Sequence, residues 1–143
     1  NILEQTPGNE FIENGERKNV GILVRVPDAS GILTGKVKAD TKIDEKDHRS
    51  VRKGEWVKAS LKKVDQLRPI AERNDLTITE LAIKFILSKK VVSSVFPTVV
   101  SVEEIESFAG MSDGRYLSSA DMKEINDLYS SWPPYEIKAT IQN

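Results

Sequence analysis

The run Val20-Gly-Ile-Leu-Val-Arg-Val26 constrains the fold more than any other stretch of the chain. It is apolar apart from Arg25 and rich in β-branched residues, and its polar and apolar positions do not alternate. That pattern predicts a strand buried on both faces, as in a parallel sheet. The strand runs straight into Pro27-Asp-Ala-Ser-Gly-Ile-Leu-Thr-Gly-Lys36, a loop with two glycines. A second strand is predicted over residues 91–96, stopped by Pro97. Parallel strands need a crossover of a dozen or more residues, usually helical, and the chain between these two supplies it.

Val57, Leu61, Val64, Leu67 and Ala71 recur at spacings of three and four, the pattern of an amphipathic helix, with Pro69 near its end. Thr77-Ile-Thr-Glu80 is a capping box that opens the next helix. Ile78, Leu81, Ala82, Phe85 and Ile86 give that helix a wide apolar face, and Lys89 and Lys90 suit its C-terminal dipole end. Ser101-Val-Glu-Glu104 reads as another capping box, for a helix ending at Gly110. Ser118 or Ser119 starts a last helix with Met122, Ile125, Leu128 and Tyr129 on one face. Near the N-terminus, residues 1–3 read as the end of a strand. Asn9 caps a short helix to about Lys18, with Phe11 and Ile12 packing inward; Gly15 weakens it. The order is helix, strand, paired helices, strand, helix, helix, and the class is α/β.

With 143 residues the chain reads as one domain, residues 1–143. Twenty-one basic and twenty-two acidic residues leave a net charge of −1, so no global field draws nucleic acid or an anionic membrane. No apolar run is long enough to span a bilayer, and no leader pattern opens the sequence. The absence of cysteine excludes disulfides and thiolate metal sites. A cytoplasmic protein is the expectation. In residues 36–58, thirteen of twenty-three are charged, which reads as a solvated loop tacked down by Ile43 and Trp56. His48, the one histidine, sits among Asp44, Glu45, Asp47 and Arg49 there. One imidazole without converging ligands is not a metal site, and none is expected. The interspersed acids argue against a nucleic-acid patch. Trp56, Trp132, Tyr129 and Tyr135 read as packing residues.

Taken in order, these segments resemble the aldo-keto reductase family. Gly31-Ile-Leu-Thr-Gly-Lys36 is similar to the segment after that family's seventh barrel strand. Ile70-Ala71 and Leu81-Ala82 resemble its next helices, Val95-Phe-Pro97 its eighth strand, and residues 117–128 its closing helix. Asn1-Ile-Leu-Glu4 resembles the end of its sixth strand. The resemblance implies the C-terminal half of a (β/α)8 TIM barrel, whose whole takes roughly 250 residues. It also implies a carbonyl-reducing oxidoreductase using NADP or NAD. The Asp, Tyr, Lys and His that do the family's chemistry come from its first half, and none maps onto this chain, so no catalytic residue is expected. The half present is the cofactor half. The resemblance places Arg25, Val26, Pro27, Asp28, Gly31, Leu33, Thr98, Val99, Glu104, Ser107 and Phe108 around the dinucleotide.

Several of these depart from the family pattern. Arg25 stands where an aromatic stacks on the nicotinamide, Val26 at a serine, and Asp28 at an apolar position. Thr98 replaces a lysine or glycine. Glu104 falls at a frequently basic residue that helps bind the 2′-phosphate, and Ser107 and Phe108 replace an acidic residue and an asparagine. Glu103 and Glu104 would repel a phosphate, so cofactor binding is expected to be weak, altered or lost, with no preference for NADP. A non-catalytic module derived from the barrel is the alternative reading. The Gly31–Gly35 loop either only turns the chain or faces the cofactor; it lacks the Walker spacing. Arg25 either faces the barrel mouth or pairs with Asp28 or Glu10. Ser101 is a helix cap, and the helix it opens could also hold a phosphate. A half-barrel leaves sheet edges unpaired, so a partner chain supplying the N-terminal half, or a homo-oligomer, is expected.

Overall fold

A computed structural model of the chain describes residues 1–6, 8–41 and 54–133. Its elements are helix α1 (Gly8–Lys18), strand β1 (Ile22–Arg25), a 3₁₀ turn (Ile32–Thr34), helices α2 (Gly54–Arg73) and α3 (Ile78–Leu87), strand β2 (Val92–Phe96), and helices α4 (Val102–Gly110) and α5 (Ser119–Ser131). This is the α/β order read from the sequence, with a 3₁₀ turn added inside the glycine-bearing loop. β1 and β2 pair in parallel, with Val24 opposite Val95 and Arg25 opposite Phe96. Helix α3 packs on β2, and α2 packs on α3 and on the 3₁₀ turn. The core between them holds Leu33, Leu67, Ile70, Leu81 and Phe85, joined by Ile2 and by Ile125 from α5.

Burial of β1 on both faces is not what the fold gives. Val24 packs against the core, but Leu23 is 60% exposed and Arg25 is exposed as well. The helices cover one face of the two-stranded sheet, and no described residue covers the other. Residues 1–3 form a turn rather than a strand end: Asn1 Oδ1 accepts from the Leu3 N–H at 3.1 Å and the Glu4 N–H at 3.0 Å. No described strand lies beside them to pair with.

The predicted charged loop over 36–58 ends early. Helix α2 already begins at Gly54, and Trp56 and Val57 are buried. Trp56 Nε1 donates to Glu4 Oε1 at 3.1 Å. The reason is periodicity: Trp56 and Val57 continue the buried stripe of Ser60, Val64, Leu67 and Ala71 backwards into the charge run. Val37 is buried too. Ile43, His48 and Tyr135 lie outside the described residues.

Gly15 does not weaken α1; the packing requires it. A Cβ there would lie 2.9 Å from the Val20 carbonyl oxygen and 2.9 Å from a Val91 methyl. Only glycine lets the helix approach the sheet this closely. Phe11, expected to pack inward from α1, is instead 64% exposed. The Thr77 capping box forms in full, with Thr77 accepting from the Glu80 N–H and Glu80 from the Thr77 N–H. The Ser101 box forms by half: Ser101 Oγ accepts from the Glu104 N–H, but the Glu104 carboxylate turns to the Val100 N–H. Gly110 is not a left-handed cap; α4 runs through it to Met111, which stays right-handed at φ −71°.

Ser118 caps α5, and Asp121 ties that helix to α2. Its carboxylate accepts from the Ser118 hydroxyl at 2.7 Å and from Arg73 Nε at 2.9 Å. These bonds, Ser118 first, hold the Asp121 carboxyl below its ordinary range, and Thr77 does the same for Glu80. A depressed folded-state pKa adds stability above the unfolded value that is lost as pH falls through the folded one. Unfolding free energy should therefore hold from neutral pH down to about 5 and decline as pH drops below about 4. Urea titrations followed by circular dichroism across that range check it, and a flat profile would contradict it.

Candidate cofactor site

In parallel α/β folds, ligands bind at the C-terminal ends of the strands. Here β1 and β2 end side by side at Arg25 and Phe96, and both following loops leave from that edge. The first loop is backbone-strained. Val26 lies at φ 51°, Ala29 at 50°, Ser30 at 57° and Gly31 at 87°. Left-handed conformation costs a non-glycine residue roughly 1–2 kcal/mol, and most for a β-branched one such as Val26. Strain of this kind persists only where surrounding structure fixes it, and it concentrates at ligand-facing segments.

Several bonds fix it. Leu33 N–H donates to the Asp28 carbonyl at 3.1 Å, and the Thr34 hydroxyl to the Gly31 carbonyl at 2.7 Å. The Thr79 hydroxyl at the start of α3 donates to the Leu33 carbonyl at 2.8 Å. Pro27 and Leu33 are buried, so they anchor the loop from beneath. The N–H groups of Ser30 and Gly31 donate to no described residue. Asp28 is 9% exposed, and its Oδ1 is buried without a hydrogen-bond partner. Arg25 is exposed and ion-paired to no described residue, so neither Asp28 nor Glu10 holds it.

The second loop runs through Thr98 and Val99, both exposed, to the Ser101 cap of α4. Glu104 bridges the two loops. Its Oε1 meets Lys36 Nζ at 2.7 Å, while its Oε2 accepts from the Val100 N–H at 3.0 Å. Lys36 and the Val100 amide hold the Glu104 carboxyl below its usual range. Its own N–H and the Ser101 hydroxyl lower Glu103. The first turn of α4 thus carries two ionised carboxylates, one neutralised by Lys36. Ser107 is exposed and Phe108 half-buried farther along the helix. The structure therefore brings the candidates of both loops to one end of the sheet, with Ser107 and Phe108 outward along α4.

Three contributors were not read from the sequence. Lys36 reads both as the end of the glycine-bearing loop and as the start of the charge run, but not as the clasp to Glu104. Opposite charges on two loops leaving one sheet end were the available signal. Thr79 and the free Ser30 amide carried no such signal, because both roles depend on backbone geometry. Among the described residues no cluster of His, Asp and Glu could hold a metal ion.

Parallel strands joined through helices, with loops converging at the strand ends, define an α/β fold of the kind that (β/α)8 barrels contain. The Aldo/keto reductase family model matches residues 1–130, and the chain belongs to that family. Among solved structures it resembles the glycerol dehydrogenase AKR11B4 from Gluconobacter oxydans, with a TM-score of 0.81 and 21% identity. That match covers 100% of this chain and 44% of the other. The aldo-keto reductase AKR11C1 from Bacillus halodurans, in its holo form, matches with a TM-score of 0.64 and 20% identity, over 89% of this chain and 39% of that one. Among curated proteins, a probable voltage-gated potassium channel subunit beta from Arabidopsis thaliana is 29% identical over 102 residues, 68% of this chain and 31% of that protein. A namesake from Oryza sativa subsp. japonica matches to the same extent. The chain thus spans less than half the length of these relatives.

Proposed function

We propose that this chain is the cofactor-binding half of a carbonyl-reducing, nicotinamide-dependent oxidoreductase, and that it does not turn over carbonyls alone. The clasp between Lys36 and Glu104 carries the reading, because it joins the two strand-end loops at one end of the sheet. The residues present fit a dinucleotide bound by its neutral groups more than by its phosphates. Asp28 Oδ1 is a bare buried acceptor, suited to a ribose hydroxyl or a carboxamide N–H. The Ser30 and Gly31 amides, which donate to no described residue, are donors open to a cofactor oxygen. Glu104 opposes a 2′-phosphate. When bound, the cofactor supplies hydride; this half positions it, and the general acid comes from the other half of the barrel. The absence of cysteine suits a cytoplasmic setting.

Fluorescence titration separates the possibilities. The expected result is micromolar to submillimolar binding of NADH, with NADPH weaker. No binding of either nucleotide would overturn the reading. So would carbonyl-dependent NADH oxidation by the purified chain well above background. Glu104→Arg should raise the affinity for NADPH relative to NADH by about tenfold, because it inverts one charge beside the extra phosphate while loss of the Lys36 clasp weakens both nucleotides alike. Equal effects on both nucleotides would remove Glu104 from that position.

The second reading is a non-catalytic interaction module derived from the barrel. The curated relatives named as channel beta subunits favour it, as does Arg25 where an aromatic was expected. Absence of nucleotide binding selects this reading.

A further inference from the structure

Arg25 and Phe96 are the last residues of β1 and β2 and stand opposite each other in register. Neighbouring strands lie about 4.8 Å apart, so the two side chains start side by side. Both are exposed, Phe96 to 54%. The helices pack on the other face of the sheet, where Val24 and Val95 meet the core. An open cleft of about 590 Å³, lined by Leu23, Arg25 and Phe85 among others, adjoins the end of β1. A flat phenyl ring and a planar guanidinium thus share one open strand end.

The two cations at this end of the sheet differ. Lys36 is neutralised by Glu104, whereas Arg25 is ion-paired to no described residue. A guanidinium is a permanent cation whose plane stacks on ring faces. Three residues on, Asp28 Oδ1 is buried without a partner, and the open amides of Ser30 and Gly31 follow. A dinucleotide that rests its pyrophosphate on those amides and gives its carboxamide N–H to Asp28 brings its nicotinamide ring to the strand end, beside Arg25 and Phe96.

We propose that Arg25 discriminates between the two redox states of the cofactor and favours the reduced one. The nicotinamide ring is neutral in NADH and carries a positive charge in NAD⁺. A fixed cation beside the ring repels only the second form. Two unit charges about 4–5 Å apart at a solvent-lined edge repel enough for roughly a tenfold difference in affinity. The oxidised cofactor is thereby the more weakly held of the two.

This role rests on the nucleotide binding proposed above, and its test lets the two fail separately. NADH binding to the full chain is followed by nucleotide fluorescence, and NAD⁺ binding by displacement of NADH. Asp28 lies on the same loop, so the readout is the change that a substitution makes in the ratio of the NAD⁺ to the NADH dissociation constant. Arg25→Gln should lower that ratio by about tenfold. Arg25→Lys keeps the charge and should leave it within about threefold of the unsubstituted chain. An arginine that holds the pyrophosphate, stacks on the adenine or only supports the fold moves both constants together. An unchanged ratio in Arg25→Gln therefore overturns the role while leaving nucleotide binding intact, and binding of neither nucleotide overturns both.

Discussion

Replacing Phe85 by alanine should lower the unfolding free energy by about 3–4 kcal/mol. Phe85 is 2% exposed in the last turn of α3, the helix that joins the sheet to α2. Its ring also lies 4.7 Å from Lys89 Nζ. Truncation removes the transfer energy of the ring and leaves a void between packed elements. The adjoining cleft lets that void relax, which sets the value toward the low end of the range for such changes. Phe96→Ala is the control: the residue is 54% exposed on the uncovered sheet face, so its loss should stay within about 0.5 kcal/mol. Urea unfolding of both variants checks the pair, and equal effects would mean that α3 does not pack as described.

Lys84→Ala should cost about 3 kcal/mol, and Lys84→Met only about 1. Lys84 sits on the buried side of α3 at 6% exposure. Its ammonium donates to Asp113 Oδ1 at 2.6 Å and to the Arg115 carbonyl at 3.0 Å, pinning the α4–α5 connection. Most of the cost lies in the stem, because each buried methylene contributes about 0.8 kcal/mol. Methionine keeps that stem, and the released acceptors lie near water. Lys84, with Arg115 second, also holds the Asp113 carboxyl well below the ordinary carboxylate range. Either substitution should therefore raise the Asp113 pKa, as followed by NMR titration. A Met variant as unstable as the Ala variant would place the stabilisation in the charge instead.

Lys84 also shows where reading the sequence stops. It lies off the apolar face of Ile78, Leu81, Ala82, Phe85 and Ile86, so the sequence gives no sign of its burial. Nothing local announces that a loop some thirty residues on will curl over the ammonium. The same holds for Lys36. The charge run over 36–58 concealed both the clasp and the first turn of α2. By contrast, Thr77 and Glu80 were legible as a cap, since both partners lie within one turn. The family was legible because ordered short segments carry it, though each alone is weak. Asp28 was legible only as an odd residue in an apolar position; its bare oxygen needs the surrounding loop to be folded.

Local chemistry in the sequence determined the helices, the Thr77 and Ser118 caps and the two strands, because each depends on residues a few positions apart; the parallel sense followed from the long helical crossover between the strands. The tertiary structure decided which strand face stays uncovered, why Gly15 must lack a side chain, and that Lys36 closes on Glu104. Those outcomes depend on atoms far apart in the chain that meet only when the helices settle on one side of the sheet.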